Sequence, residues 1–329
     1  MLLGSLPSPS NGNLGPFHMY GIILAVGVLV GVYVAETRWR RRGYPRDGIY
    51  DIAFWVVIWG VIGARLYHVI TDYQRFEDDP WRAFQIWRGG LGIWGAVVGG
   101  AIAVIVITYR RKLPTLVVMD CMSVGIVLAQ AIGRWGNYFN QELFGSPTSA
   151  PWGLEISPAN RPAGYEQFTT FHPTFLYESL WCVLTAAVVV WADRRFRLGH
   201  GRAFALYVLV YCVGRTWWES LRIDDAPRHL LGLRFNVFTA VAVGLGALVY
   251  LVLSARLRPG RETDVYRPGH GAQADPDAAP EPEPADVEPD DRGGSDGLPA
   301  DVRPVSQGGP VTPTGPSEPH TSTDPPAAG

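Results

Sequence analysis

The sequence predicts an all-α polytopic membrane protein with seven transmembrane helices. Apolar residues make up 47% of the 329-residue chain and charged residues only 18%, and the apolar residues are gathered into long runs. A helix needs about 20 mainly apolar residues to cross a bilayer, and seven runs reach that length. Arginine-rich segments follow every second run, which is the charge pattern of a multi-pass protein.

The seven predicted spans cover residues 17–35, 49–69, 91–109, 116–137, 174–191, 202–221 and 235–253. The longest connection, at 138–173, is rich in proline, glycine and aromatic residues. A connection of this length is usually functional or disordered. Its aromatic content predicts an ordered element at the membrane interface, which would serve as a lid or as a docking surface for a partner.

Basic residues predict the orientation. They follow the first, third, fifth and seventh spans: Arg38, Arg40, Arg41, Arg42 and Arg46, then Arg110, Arg111 and Lys112, then Arg194, Arg195 and Arg197, and finally Arg256, Arg258 and Arg261. The positive-inside rule makes these ends cytoplasmic. The N-terminus and the connections at 70–88, 138–173 and 222–234 are then on the outer side. The first run is not a cleaved signal peptide, because no Lys or Arg precedes it and an arginine block follows it.

These patterns divide the chain into an extracytoplasmic segment at 1–16, a transmembrane domain at 17–258 and a cytoplasmic tail at 259–329. The tail is acidic and proline-rich, lacks apolar periodicity and is predicted to be disordered. Cys121, Cys182 and Cys212 lie inside apolar runs without metal-ligand spacing, so we expect buried free thiols. The sequence predicts no metal and no cofactor. Its charges describe topology rather than nucleic-acid binding.

Polar chemistry is concentrated at 133–145, which reads GRWGNYFNQELFG at the outer end of the fourth span. Arg134, Asn137, Asn140 and Glu142 lie within nine residues, between glycines that let a ligand approach the backbone. A guanidinium and two amides suit a phosphate or another anion. The alternative is an ordinary helix end, at which Arg134 extends to the interface and the glycines cap the helix.

The sixth span carries Tyr211, Arg215, Glu219 and Arg222 at intervals of four, four and three residues, which places them on one helical face. Glu219 is positioned to hold Arg215 or Arg222. The stripe is either an interhelical salt-bridge ladder or part of an anion site. A second arginine at the outer depth of Arg134 favours the anion site.

Two further groups of polar or small residues have structural interpretations. Asp51 and Asp120 lie near cytoplasmic helix ends, where an ion pair or a cap accounts for them at least as well as chemistry does. Glycines crowd the start of the third span, where they either let helices pack closely or admit a lipid headgroup to the backbone. They are Gly89, Gly90, Gly92, Gly95, Gly99 and Gly100.

Several segments resemble one family of bacterial membrane enzymes, the prolipoprotein diacylglyceryl transferases. The segment 133–145 resembles the family signature, and 18–21 (HMYG), 63–66 (GARL), 172–178 (HPTFLYE) and the stripe on the sixth span agree in order and spacing. The resemblance covers about residues 15–255. It implies transfer of the diacylglyceryl group of phosphatidylglycerol to the lipobox cysteine of a prolipoprotein. A thioether would form and glycerol 1-phosphate would leave, in the bacterial cytoplasmic membrane and toward its outer leaflet.

The resemblance also implies roles for individual residues. Catalytic roles fall on Arg134, Arg215, Glu142 and Tyr20. Substrate-binding roles fall on the two arginines together with Asn137, Asn140, Gly145, His172, Tyr211 and Glu219. The implied partners are phosphatidylglycerol, signal peptides with a lipobox cysteine and membrane lipids, with no nucleic acid.

One position departs from the family. Many members carry a histidine, discussed as a catalytic base, where this chain has Trp94, and tryptophan does not accept a proton. The incoming thiol has an unperturbed pKa of ~8.5, which a doubly cationic site would lower. The thiolate would attack the glycerol carbon that bears the phosphodiester. Glu142 or His172 would assist proton removal, and the sequence does not choose between them.

The residues alone leave two other classes of function open. A small membrane transporter would line a path with intramembrane polar residues and would show an internal repeat, but the region near 134 has only a loose echo near 215. A non-catalytic lipid-binding scaffold would tolerate apolar replacements of the arginines. The predicted transmembrane domain at 17–258 contains no zinc-protease H-E-x-x-H, no serine-hydrolase G-x-S-x-G elbow and no Gly-rich Lys loop, so its chemistry would depend on positioning and electrostatics.

Overall fold

The apolar runs and their basic flanks form long α-helices in a computed structural model of the chain. The structure describes residues 5–9, 12–14, 17–46, 48–86, 89–223, 229–230 and 233–262. Within these residues the helices are α1 (Met19–Arg41), α2 (Gly48–Thr71), α3 (Ile93–Arg110), α4 (Thr115–Asn140), α5 (Thr174–Phe196), α6 (Arg202–Leu221) and α7 (Phe235–Leu257). The prediction of a mostly helical chain is confirmed.

The described strands are short antiparallel pairs in the connections. They are β1 (Asn13–Leu14) with β2 (Phe17–His18), β3 (Leu154–Glu155) with β4 (Thr170–Phe171), and β5 (His229–Leu230) with β6 (Leu233–Arg234). In the second pair Leu154 lies opposite Phe171. The first and third pairs end directly before α1 and α7, and β4 ends shortly before α5.

Six of the described helices are long and apolar enough to cross a membrane, and α6 is the exception. The last two turns of α6 carry Arg215, Glu219 and other polar residues, which lower its mean hydropathy. Seven helices therefore form where seven were predicted, and six of them have the composition of a membrane span.

Helices extend beyond the predicted spans where basic residues cluster. Helix α1 continues from residue 35 to Arg41, and α5 continues from residue 191 to Phe196. Arginine is a good helix former and interacts favourably with the negative end of the helix dipole, although it lowers hydropathy. We call the end of the bundle with Arg41, Arg110 and Phe196 the basic end. The opposite end, with Asn140 and Thr174, is the loop end.

Glycines bring two pairs of helices into close contact. A Cβ added to Gly95 in α3 would lie 2.1 Å from the carbonyl oxygen of Gly63 in α2. A Cβ added to Gly125 in α4 would lie 2.1 Å from the carbonyl oxygen of Gly31 in α1. Backbones approach this closely only where the side chain is absent. The packing interpretation of the third-span glycines is therefore confirmed at Gly95.

Both acidic residues that the sequence placed near the basic end have structural partners. The carboxylate of Asp120 accepts hydrogen bonds from the backbone N–H groups of Gly201 and Phe204, each at 3.0 Å. These groups belong to the start of α6, so Asp120 caps that helix from α4. Asp51 pairs with Arg111 at 2.9 Å and joins α2 to the end of α3.

A further carboxylate at the basic end, Asp193, forms ion pairs with several arginines. It lies 3.0 Å from Arg38 and 3.5 Å from Arg42, and it also pairs with Arg261, which follows α7. Residues 259–262, which the sequence analysis assigned to the tail, are thus described and contact the helix ends. The rest of that predicted tail, 263–329, lies outside the described residues.

The connection between α2 and α3 is organised by one buried arginine. The side chain of Arg65 donates to the carbonyl oxygens of Ala83 at 2.8 Å, Gly89 at 2.7 Å and Gly90 at 3.0 Å. A single guanidinium therefore satisfies several backbone acceptors at the loop end.

The connection between α4 and α5 is ordered, as its aromatic content predicted. It packs around a small apolar core made of Phe144, Leu154, Ile156, Phe171 and Phe175. Leu6 from the N-terminal segment adds to it, because its N–H donates to Gly153 at 2.8 Å and its carbonyl accepts from Glu155 at 2.9 Å. The three cysteines are buried free thiols, as expected.

Candidate active site

Helix α4 ends at Asn140, and two left-handed residues turn the chain back toward it. Gln141 has a φ of 50° and Leu143 a φ of 58°, a conformation that costs about 1 kcal/mol or more in residues with a Cβ. Between them, Glu142 accepts a hydrogen bond from Nδ2 of Asn137 at 2.9 Å and from Nδ2 of Asn140 at 3.2 Å. The strained turn holds the Glu142 carboxylate against the last turn of α4.

Arg134, two turns before the end of α4, is directed toward α5 and α6. Its Nη2 atom lies 2.6 Å from Oε2 of Glu178 and donates to the hydroxyl oxygen of Tyr211 at 3.4 Å. Nη1 of Arg215 lies 3.4 Å from the same Glu178 oxygen. Because Glu178 is only 5% exposed, one buried carboxylate oxygen joins the two arginines.

The pairing continues from Arg215 through α6. Nη2 of Arg215 lies 2.7 Å from Oε2 of the fully buried Glu219, and Nη1 of Arg222 lies 3.3 Å from that oxygen. The other Glu219 oxygen lies 3.7 Å from Nε of Arg234 and accepts from Asn236 at 2.8 Å. We call Arg134, Glu178, Arg215, Glu219, Arg222 and Arg234 the ion-pair chain. It is the interhelical ladder that the sequence left as an alternative to an anion site.

The two arginines that share Glu178 stay partly accessible. The side chains of Arg134 and Arg215 are each 18% exposed, so both guanidinium groups can reach a ligand. A guanidinium is a fixed, forked donor that suits a phosphate or another anion. The ion-pair chain thus fixes the two arginines and leaves them accessible to an anion.

Tyr20, in the first turn of α1, packs against the same end of α4. A Cβ added to Gly136 would lie 2.4 Å from the Tyr20 ring, so this glycine permits the close contact. Tyr20 therefore lies against the part of α4 that belongs to the signature segment.

Gly145 lies where the chain passes between the start of α5 and the end of α6. Its N–H donates to the carbonyl of His172 at 2.9 Å, and an added Cβ would lie 2.8 Å from the His172 Cβ and 3.1 Å from the Leu221 carbonyl oxygen. Nδ1 of His172 is 3.2 Å from the hydroxyl of Tyr177, which accepts from Trp152 at 2.8 Å. Through Tyr177, the His172 ring links the start of α5 to Trp152 in the α4–α5 connection.

An apolar cavity of about 330 Å³ lies between α1, α2 and α4. On α4 its lining runs from Met122 to Gly133, the residue before Arg134. On α1 it runs from Ala35 to Leu24, which is one turn from Tyr20. One end of the lining is therefore one residue away from Arg134 along α4, and the other end lies toward the basic end.

Most of the predicted site residues meet at the loop end of α4, α5 and α6. Sequence reasoning missed three residues that complete the arrangement: Glu178, Arg234 and Asn236. Glu178 belongs to the segment 172–178, but its pairing crosses between helices, which spacing along one helix does not report. The spacing rule did find the pair of Arg215 and Glu219, because both lie on α6.

The chain matches one known protein family over most of its length. The family model of the prolipoprotein diacylglyceryl transferases matches residues 12–253. The chain is 52% identical over 280 residues to the phosphatidylglycerol–prolipoprotein diacylglyceryl transferase of Streptomyces griseus, covering 83% of this chain and 84% of the relative. It is 49% identical over 294 residues to transferase 2 of that name from Streptomyces coelicolor (87% and 92%). It is 47% identical over 259 residues to the Cutibacterium acnes protein (77% and 87%).

Proposed function

The chain belongs to the prolipoprotein diacylglyceryl transferase family, and we propose that the ion-pair chain and the signature turn are the site at which it transfers the diacylglyceryl group. The donor is phosphatidylglycerol, and the acceptor is the lipobox cysteine of a prolipoprotein. One observation carries this assignment of the site: Arg134 and Arg215 converge on one Glu178 oxygen at the end of α4 from which the signature turn follows.

The two arginines bind the phosphodiester of the lipid. A guanidinium offers several N–H donors in a plane, and charge-assisted hydrogen bonds to phosphate are about twice as strong as neutral ones. The ion-pair chain holds both guanidinium groups in place before the ligand arrives, so little reorganisation is needed during the reaction. Asn137 and Asn140 orient Glu142, and Tyr211 supports Arg134 through its hydroxyl.

The reaction is a displacement at a glycerol carbon. The thiol of the cysteine loses its proton, and the thiolate sulfur attacks the glycerol carbon that bears the phosphodiester. A carbon–sulfur bond forms while the carbon–oxygen bond breaks, and glycerol 1-phosphate leaves with that electron pair. Negative charge grows on the departing phosphate, where Arg134 and Arg215 stabilise it.

Glu142 is the proton acceptor that the geometry favours. Its carboxylate lies in the signature turn, where it accepts hydrogen bonds from Asn137 and Asn140, and it is exposed enough to pass a proton to water. Nδ1 of His172 is within hydrogen-bond distance of the Tyr177 hydroxyl, so we assign His172 to ordering the α4–α5 connection. Gly145 allows that connection to pass between α5 and α6.

The protein is a multi-pass membrane protein, and we assign all seven helices as spans of the bacterial plasma membrane. The basic end then faces the cytoplasm and the loop end faces outward. The partial polarity of α6 fits a span whose polar residues face the ion-pair chain instead of lipid. The apolar cavity that ends at Gly133 suits an acyl chain of the lipid, because its lining on α4 stops one residue before Arg134.

Transfer by the purified protein tests this function. The protein is placed in liposomes with labelled phosphatidylglycerol and a lipobox peptide, and the products are thioether-linked lipid on the cysteine and released glycerol phosphate. A peptide with serine in place of the cysteine is the control. Both products are expected with cysteine and neither with serine. A folded protein that yields neither product from the cysteine peptide contradicts the assignment.

A further inference from the structure

Glu178 is the residue on which the two arginines of the site converge. It comes from α5, whereas Arg134 comes from α4 and Arg215 from α6, so the carboxylate joins three helices. Its Oε2 atom contacts both guanidinium groups, at 2.6 Å and 3.4 Å. A phosphate oxygen bound by both arginines would occupy the same kind of position, between two guanidinium groups.

The partners of the two arginines differ in charge. Arg215 has a second carboxylate, Glu219, at 2.7 Å. The other described contact of Arg134 is the neutral hydroxyl of Tyr211, at 3.4 Å. Glu178 therefore supplies the opposing charge for Arg134 and shares Arg215. Without a carboxylate between them, two guanidinium groups this close together repel each other and separate.

We propose that Glu178 is a positioning residue that holds the place of the lipid phosphate. It keeps Arg134 and Arg215 convergent before the lipid binds, and the incoming phosphodiester competes with it for their N–H groups. This inference rests on the proposed function of the two arginines. The carboxylate thus weakens lipid binding and at the same time raises the rate of transfer, because it keeps the arginines in the geometry that stabilises the departing phosphate.

Two substitutions separate the effect of the Glu178 charge from the effect of its side-chain length. Glu178→Gln removes the negative charge, so the Michaelis constant for phosphatidylglycerol should fall about 3- to 10-fold while kcat falls at least about 10-fold. Glu178→Asp keeps the charge but shortens the side chain by one methylene. For that variant the Michaelis constant should stay within about twofold of wild type, while kcat falls. A role in stability alone does not lower both constants together.

Asp193→Asn is a matched control. Asp193 is also a carboxylate shared between arginines, here Arg38, Arg42 and Arg261, but it lies at the basic end. Its loss should lower the melting temperature of the protein in detergent without changing either kinetic constant by more than about twofold. If Glu178→Gln behaves like Asp193→Asn, Glu178 is a structural ion-pair residue and the proposal is wrong.

A binding measurement separates this proposal from the proposed function. The rise in melting temperature on adding phosphatidylglycerol, compared with the same amount of phosphatidylcholine, should be larger for Glu178→Gln than for wild type. That result supports the proposal even if wild type shows no transfer, in which case only the proposed function fails. An equal or smaller rise, or a higher Michaelis constant in an active variant, overturns the role of Glu178. If Glu178→Gln does not fold, an unchanged kcat in Glu178→Asp has the same effect.

Discussion

Arg134 and Arg215 share one carboxylate oxygen, yet each has its own support. Arg134 is held from α5 by Glu178 and from α6 by Tyr211, whereas Arg215 is held within α6 by Glu219. Removing either guanidinium leaves a buried carboxylate short of a partner and takes away donors for the phosphate. We therefore expect transfer to need both arginines.

Replacing Arg134 or Arg215 by Gln should lower kcat/KM for transfer by about 10²- to 10³-fold, the usual loss when one preorganised donor to developing charge is removed. The measurement is initial rate in the liposome assay, with protein amount and melting temperature checked for each variant. Arg194→Gln is the control, because Arg194 is exposed at the basic end and should be dispensable. Near-normal transfer by both site variants would end the phosphate assignment.

The sequence leaves Glu142 and His172 as equal candidates for the base, and we propose Glu142. Glu142→Gln keeps the shape of the side chain but removes its basicity, so kcat should fall about 100-fold or more. His172→Gln should cost less than about 10-fold, because the ring orders the connection through Tyr177. Rates of both variants are compared across pH. A severe loss in His172→Gln with an active Glu142→Gln would reverse the assignment.

At this scale the sequence predicted residue types and same-helix neighbours, but not partners across helices. The pair of Arg215 and Glu219 was readable because four residues separate them on one helix. Glu178 was not, because its contacts depend on how α4, α5 and α6 pack. The left-handed residues of the turn, Gln141 and Leu143, are not glycines, so the sequence did not indicate the positive φ at these positions.

Helix positions were predicted well, and helix ends less well. Apolar runs locate a span because burying them in lipid or protein is the dominant favourable term. They do not locate the end of a helix, because arginine continues a helix after it has left the apolar layer, as at Arg41 in α1. Helix α6 shows the reverse case: its ends were predicted correctly, but its polar residues lower the hydropathy on which the assignment of a span depends.

The contact between α2 and α3 depends on missing side chains, which makes it sensitive to a single methyl group. Gly95→Ala places a Cβ 2.1 Å from the carbonyl oxygen of Gly63, so the helices must separate. Overpacking of this kind costs about 1–3 kcal/mol. We expect a lower melting temperature in detergent than for wild type.

Gly246→Ala in α7 is the matched control for that substitution. A Cβ added to Gly246 meets nothing within 4 Å, so the change adds only the helix propensity of alanine, which is worth up to about 1 kcal/mol. This variant should melt at or slightly above the wild-type temperature. Equal melting temperatures for the two variants would mean that α2 and α3 can separate at no cost.

For the whole molecule, the two ends of the bundle contain different kinds of buried charge. At the basic end, Asp120 and Asp193 cap a helix and tie helix ends together. At the loop end, the ion-pair chain joins α4, α5 and α6 and leaves Arg134 and Arg215 partly exposed. Basic residues on the cytoplasmic side are a topological signal, so the functional arginines should be those on the other side.

Cysteine labelling tests that orientation and the number of spans together. The native thiols are buried, with at most 8% exposure, so they form a silent background for a membrane-impermeant maleimide. Glu166→Cys in the α4–α5 connection and Ser220→Cys at the end of α6 should label in intact cells, because both positions are exposed and belong to the loop end. Arg194→Cys at the end of α5 should label only after the membrane is permeabilised. If Ser220→Cys labels only after permeabilisation, α6 does not cross the membrane. If Arg194→Cys labels in intact cells and the other two variants do not, the site faces the cytoplasm and the outer-leaflet proposal is wrong.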